Sequence, residues 1–288
     1  MKHNSLITAL VILIMVAAAG ASGIGVFSRG GPGQWQYRTI RDEVITIYGE
    51  GIYRHMSADV AVQGVGQDWV TLFLAVPLLG AALLWARRGS HRGRFLLAGV
   101  LGYFLVTYLF YLVMGMYNPL FLVYTLLLGT SFFAFSLTLA GIHGDGLPLR
   151  FAPTAPVGVC GGFLLFNTAA VALLWLGVIV PPLLDGSLYP QGLHHYTTMI
   201  VQGLDLGLLL PLSAVSGVLM IRRRPLGLLL GPVYLVFLSL LMIALVAKIV
   251  AMGLTGVNVI PSVFIIPGIT VVSLISAFLM LRSLPVVE

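Results

Sequence analysis

Apolar residues run in blocks of 20 or more along this chain, where a soluble fold would break them into short alternating runs. About 20 such residues cross the ~30 Å hydrocarbon core of a bilayer. On that ruler the pattern predicts eight membrane helices, over 6–27, 68–86, 95–116, 119–142, 157–181, 197–220, 225–252 and 261–281. The expected class is an all-α polytopic membrane protein. Residues 28–67 form the only sizeable polar segment. Within it Gln34 to Ile40 and Glu43 to Tyr48 are rich in β-formers and are separated by Arg41-Asp42. They predict a small β-hairpin. Too small for a core of its own, it is expected to lie as an extracytoplasmic cap on the helix ends.

Composition agrees with the pattern. Hydrophobic residues make up 59% of the 288 and charged residues 8%, against about 25% charged in a soluble domain. A water-facing surface cannot be built from that, which excludes a soluble enzyme, a disordered chain and a nucleic-acid-binding domain. The lone Cys160 excludes an internal disulfide and a multi-thiolate metal site. The net charge of +6 is explained by topology. Ten of the fifteen Lys and Arg residues (Lys2, Arg87, Arg88, Arg92, Arg94, Arg150, Arg222, Arg223, Arg224 and Arg282) fall on one side of the predicted helices. Arg29, Arg38, Arg41 and Arg54 fall on the other, balanced by Asp42, Glu43, Glu50 and Asp59. The positive-inside rule predicts both termini in the cytoplasm of a multi-pass protein of the cell (plasma or inner) membrane, with 28–67 external. Lys2, His3 and Ala19-Gly20-Ala21 also fit a cleavable signal peptide. Retention is favoured, because an internal repeat supplies the first helix with a counterpart.

That repeat is read from order. Val62-Gln63-Gly64, Asp68, Pro77 and Arg87-Arg88 recur as Val201-Gln202-Gly203, Asp205, Pro211 and Arg222-Arg223-Arg224. Gly99 and Tyr103 then match Gly231 and Tyr234, and Asn118-Pro119 matches Asn258 and Pro261. His55 and His194 stand at the same distance ahead of their respective Val-Gln-Gly. The order predicts a parallel 4+4 duplication, with residues 1–142 and 143–288 as the two four-helix halves, a plan found among transporters. Asp68 and Asp205 should then occupy equivalent spots.

Ionisable residues inside a membrane helix are functional candidates, because their cost must be offset. Asp205 and Lys248 fall roughly 6–12 Å below the outer surface at 1.5 Å per residue, so Lys248 is the expected partner of Asp205. Asp68 has no such partner in its own half and is expected to stay wetter. Gln63 and Gln202 complete an expected outward-opening pocket between the halves, with His55 and His194 at its rim. His55, His194 and His195 are the metal-ligating candidates, although their spacing matches no metal motif and polar residues at a boundary explain them equally well. No phosphate-binding loop occurs, no histidine lies deep in a helix to ligate haem, and Lys248 is too near the surface for retinal. The sequence therefore names no cofactor. Its expected partners are the lipid bilayer and a small-molecule or ion substrate. The leading expectation is a transporter-like permease. The alternatives are a membrane enzyme with an external His/Asp site, and an accessory or sensor subunit.

Overall fold

The computed structural model describes residues 4–190 and 192–285; Lys2 and His3, used above for topology and the signal-peptide reading, lie outside that range. Eight long apolar helices are present among the described residues. They are α1 (Asn4–Phe27), α2 (Ala58–Arg87), α3 (His91–Met114), α4 (Phe121–Gly144), α5 (Val157–Asp185), α6 (Ile200–Ile221), α7 (Pro225–Leu254) and α8 (Ser262–Arg282). Length and hydropathy suit each to a bilayer. This is a multi-pass membrane protein.

The largest departure from expectation is the start of α2, at Ala58 instead of the predicted Asp68. Ala58 to Gln67 carries Asp59, Gln63 and Gln67, too polar for a hydropathy ruler. This stretch is covered by protein instead of lipid. Gly66 brings α2 against the α7 backbone: a Cβ there would lie 2.9 Å from the Ala247 carbonyl oxygen and 3.1 Å from Lys248 Cα.

Helices α3 and α7 form the centre. Phe95, Leu97, Leu101, Tyr103 and Phe104 of α3 and Leu228, Leu229 and Val233 to Leu238 of α7 are buried. Helices α2 and α4 flank α3, while α6 and α8 flank α7. Helix α1 packs on α2 and α4, burying Ile7, Val11, Ile14, Ala18 and Ala21 at helical spacing. Helix α5 packs on α6 and turns Leu173, Leu174, Leu183 and Leu184 outward. Lipid tails are as apolar as leucine, so close backbone approach has to supply much of the helix–helix attraction. The α5–α6 contact shows this, because Gly161 and Gly217 face each other's carbonyls.

Strands β1 (Trp35–Arg38) and β2 (Val44–Ile47) pair antiparallel, with Trp35 opposite Ile47 and Arg38 opposite Val44. Strand β2 buries Ile45 and Ile47, whereas every residue of β1 is exposed. Tyr53, Met56 and Ala61 form a small cluster that seats this capped end on α2. The opposite, arginine-rich end is tied by polar bonds. Arg94 pairs with Asp145, and Arg92 donates to the carbonyls of Arg282 (3.0 Å) and Leu284 (2.8 Å). Arg223 donates to those of Ala152 (3.3 Å), Pro153 and Ala155 (3.0 Å).

Backbone landmarks recur at one constant spacing along the chain. A π turn over Thr71–Ala75 reappears over Asp205–Leu209, each closed by an N–H to the carbonyl one widened turn back: Val76 to Thr71 and Leu210 to Asp205. Each precedes a proline, Pro77 or Pro211, which lacks an N–H and crowds the carbonyl of the preceding turn. Widening the turn relieves that crowding. Helices α2 and α6 end at Arg88 and Arg222 in the same backbone conformation, and α3 and α7 are capped by Ser90 and Arg224. Gly93 abuts the amide of Ala86 as Gly227 abuts that of Met220. This register pairs Asp205 with Thr71 and Asp68 with Gln202. The match of Val62-Gln63-Gly64 with Val201-Gln202-Gly203 is out of step with it, since it would set Gln63 against Gln202.

Candidate functional site

Asp68 lies well inside α2 and is 2% exposed. Three elements close over it. The hydroxyl of Tyr53, from the turn Gly51–Tyr53, donates to one carboxylate oxygen. The Tyr111 hydroxyl of α3 lies 2.9 Å from the other oxygen and 3.2 Å from the Gly64 carbonyl. Helix α1 presents Gly25, where a Cβ would lie 1.7 Å from the carboxylate. The expectation that Asp68 stays wetter is therefore overturned. Burial by α1 and by the Tyr53 turn, both distant in sequence, replaces the water that a helix mouth would supply.

The network continues along α2. Gln67 Nε2 donates to Tyr103 Oη (2.7 Å) and Thr107 Oγ1 (3.2 Å), while Thr71 Oγ1 lies 2.9 Å from that same tyrosine oxygen. Gln67 Oε1 is buried and has no hydrogen-bond partner among the described residues. Tyr108, Tyr111 and Tyr124 pack together nearby, with ring centroids 5.4 to 6.1 Å apart. A buried acceptor without a donor is costly. An arriving cation or protonated group would satisfy it.

Asp205 sits near the start of α6, where it opens the π turn, and is half-buried. Its Oδ2 accepts from Trp175 Nε1 of α5 at 2.8 Å. Lys248 of α7 lies in electrostatic reach of both Asp205 and Asp68. Among the described residues it forms a close ion pair with neither. Lys248 thus acts on Asp205 through electrostatic reach, and the hydrogen-bond donor to the carboxylate is the Trp175 indole N–H. The three residues come from α2, α6 and α7, and α2 packs directly on α7.

Of the remaining candidates only Gln202 lies beside one of the three. Gln63 Nε2 turns back to the Asp59 carbonyl of its own helix at 3.2 Å. Gln202 is half-buried, one turn before Asp205. At the capped end His194 Nδ1 lies 3.7 Å from Asp59 Oδ1, and His195 Nε2 lies 3.1 Å from the His55 carbonyl. Burial pushes the His195 imidazole below its usual range, which favours the neutral ring. Among the described residues no three metal-binding side chains converge. His55 instead lines an open cavity of about 830 Å3 together with Arg29, Arg54, Tyr117 and Asn118.

Sequence reasoning missed Gln67, Tyr53 and Trp175. Gln67 carried a signal, since a glutamine next to an intramembrane aspartate needs partners of its own. Tyr53 and Trp175 carried none, because neither stands near its carboxylate in the chain. Comparison of this chain with protein-family models, with curated proteins and with solved structures gives no match.

Proposed function

We propose that this chain is an ion-coupled, transporter-like permease of the cell membrane, with Asp68, Lys248 and Asp205 as its coupling centre. One observation carries the reading: Lys248 lies within electrostatic reach of one carboxylate from each half, and those carboxylates are held by Tyr53, Tyr111 and Trp175, not by the lysine. Ionised, two carboxylates and one ammonium leave a net charge of −1 in a medium that penalises charge. One proton or small monovalent cation restores neutrality.

The landmarks that recur at constant spacing favour a parallel 4+4 duplication, in which the halves move against each other around the trio. In that register Asp205 and Thr71 both begin a π turn, a local break where a helix can flex. Gln63 and Gln202 stand on the approach from the capped end. The arginine asymmetry supports an external capped end and cytoplasmic termini.

A ligand that binds only the folded state raises the unfolding temperature. The purified protein should therefore gain several degrees when sodium replaces choline, or when the pH is lowered. Asp68→Asn and Asp205→Asn should each abolish that gain while keeping their helical content. An equal gain in both variants would place the cation elsewhere and defeat the reading.

A further inference from the structure

The four arginines of the capped-end segment are not alike. Arg38 pairs with Asp42 at 3.1 Å. Arg41 donates to the His194 carbonyl at 2.9 Å and lies over the Tyr189 ring. Arg29 and Arg54 have no acidic partner among the described residues. Arg29 forms no side-chain hydrogen bond there either, and Arg54 Nε donates only to His55 Nε2, at 3.2 Å. Glu43 and Glu50 are exposed and pair with neither.

The two unpartnered arginines line the same cavity, the one of about 830 Å3 that also holds His55, Tyr117 and Asn118 and that no carboxylate enters. Its frame is built by backbone bonds, not by loose loops. The Gly51 N–H donates to the Gly30 carbonyl at 2.8 Å, and the Ile52 N–H donates to Ser28 Oγ at 2.9 Å. Gly51 has φ +57, and a Cβ there would lie 2.6 Å from the Ser28 carbonyl oxygen. Two guanidinium groups that line one cavity and have no acidic partner among the described residues suit the oxygens of a phosphate or carboxylate.

We propose that this cavity binds an oxyanion, a phosphate or carboxylate group, between Arg29 and Arg54. The site goes beyond the permease reading and does not depend on it, because occupancy is measured without any ion movement. The group can arrive as a soluble anion or as the headgroup of an anionic lipid.

The test uses the full chain in zwitterionic lipid nanodiscs, titrated with inorganic phosphate, and in parallel in nanodiscs containing phosphatidylglycerol. Calorimetry or intrinsic fluorescence should show saturable binding that falls about tenfold in Arg29→Gln or Arg54→Gln. Arg38→Gln, which leaves the cavity intact, should bind as the wild type does. Phosphate binding in zwitterionic discs identifies a soluble ligand. A response confined to phosphatidylglycerol identifies a lipid headgroup. Both results support the site. Absence of binding to either probe, or equal binding by all three variants, overturns it.

Discussion

Lys248→Met is expected to destabilise the protein by about 3–5 kcal/mol, the cost of leaving buried carboxylate charge without its cation. Among the described residues Lys248 is the only lysine or arginine within a helix interior, and both Asp68 and Asp205 act on it. Without it the trio's charge becomes −2, and Asp68 is only 2% exposed, so little water screens the excess. Thermal unfolding in detergent measures the loss. Adding Asp205→Asn to Lys248→Met returns the charge to −1 and should recover most of it. An unchanged unfolding temperature in Lys248→Met would mean that the lysine points away from both carboxylates.

A single methyl group at Gly25 should have an effect of similar size. A Cβ at that position would lie 1.7 Å from Asp68 Oδ2 and 3.2 Å from Tyr53 Oη. Gly25→Ala therefore pushes the carboxylate out of its seat and breaks the Tyr53 bond. Overpacking costs about 1–3 kcal/mol, and a hydrogen bond to a charged group adds about 1.5–3 kcal/mol. Gly23, nearby on the same helix, has no neighbour at its Cβ position. Gly23→Ala should thus be neutral or stabilise by up to about 1 kcal/mol through helix propensity. Equal unfolding temperatures for the two variants would show that α1 does not close over Asp68.

Hydropathy made the helices legible, because each span must shield its backbone from lipid whatever its neighbours do. It failed at the start of α2, where the polar first turns are covered by protein, with Gly66 packed on α7. Asp68, Asp205 and Lys248 were legible as candidates for the same reason, since a charge inside an apolar run stands out. Their partners were not. Tyr53 reaches Asp68 from a loop, Trp175 reaches Asp205 from α5, and Gly25 is conspicuous only once α1 is placed. Such contacts depend on how helices pack, which periodicity does not encode. The expected repeat rests on an order of residue types, and that order does not share the spacing of the backbone landmarks. Val62-Gln63-Gly64 attracts the eye to Val201-Gln202-Gly203, whereas Pro77 and Pro211 with their π turns, which bend the backbone, recur at a shorter spacing.

The central claim is that the trio works on an ion and does not merely hold two halves together. The most direct measurement is gradient-driven uptake of protons or sodium by proteoliposomes of the wild type, Asp205→Asn, and the double variant Asp205→Asn with Lys248→Met. The account predicts uptake by the wild type only, at least about tenfold faster than either variant, an increment in barrier of ~1.4 kcal/mol or more. The double variant should be folded and inactive. If it regains both stability and uptake, Asp205 and Lys248 are a structural pair and the coupling centre lies elsewhere.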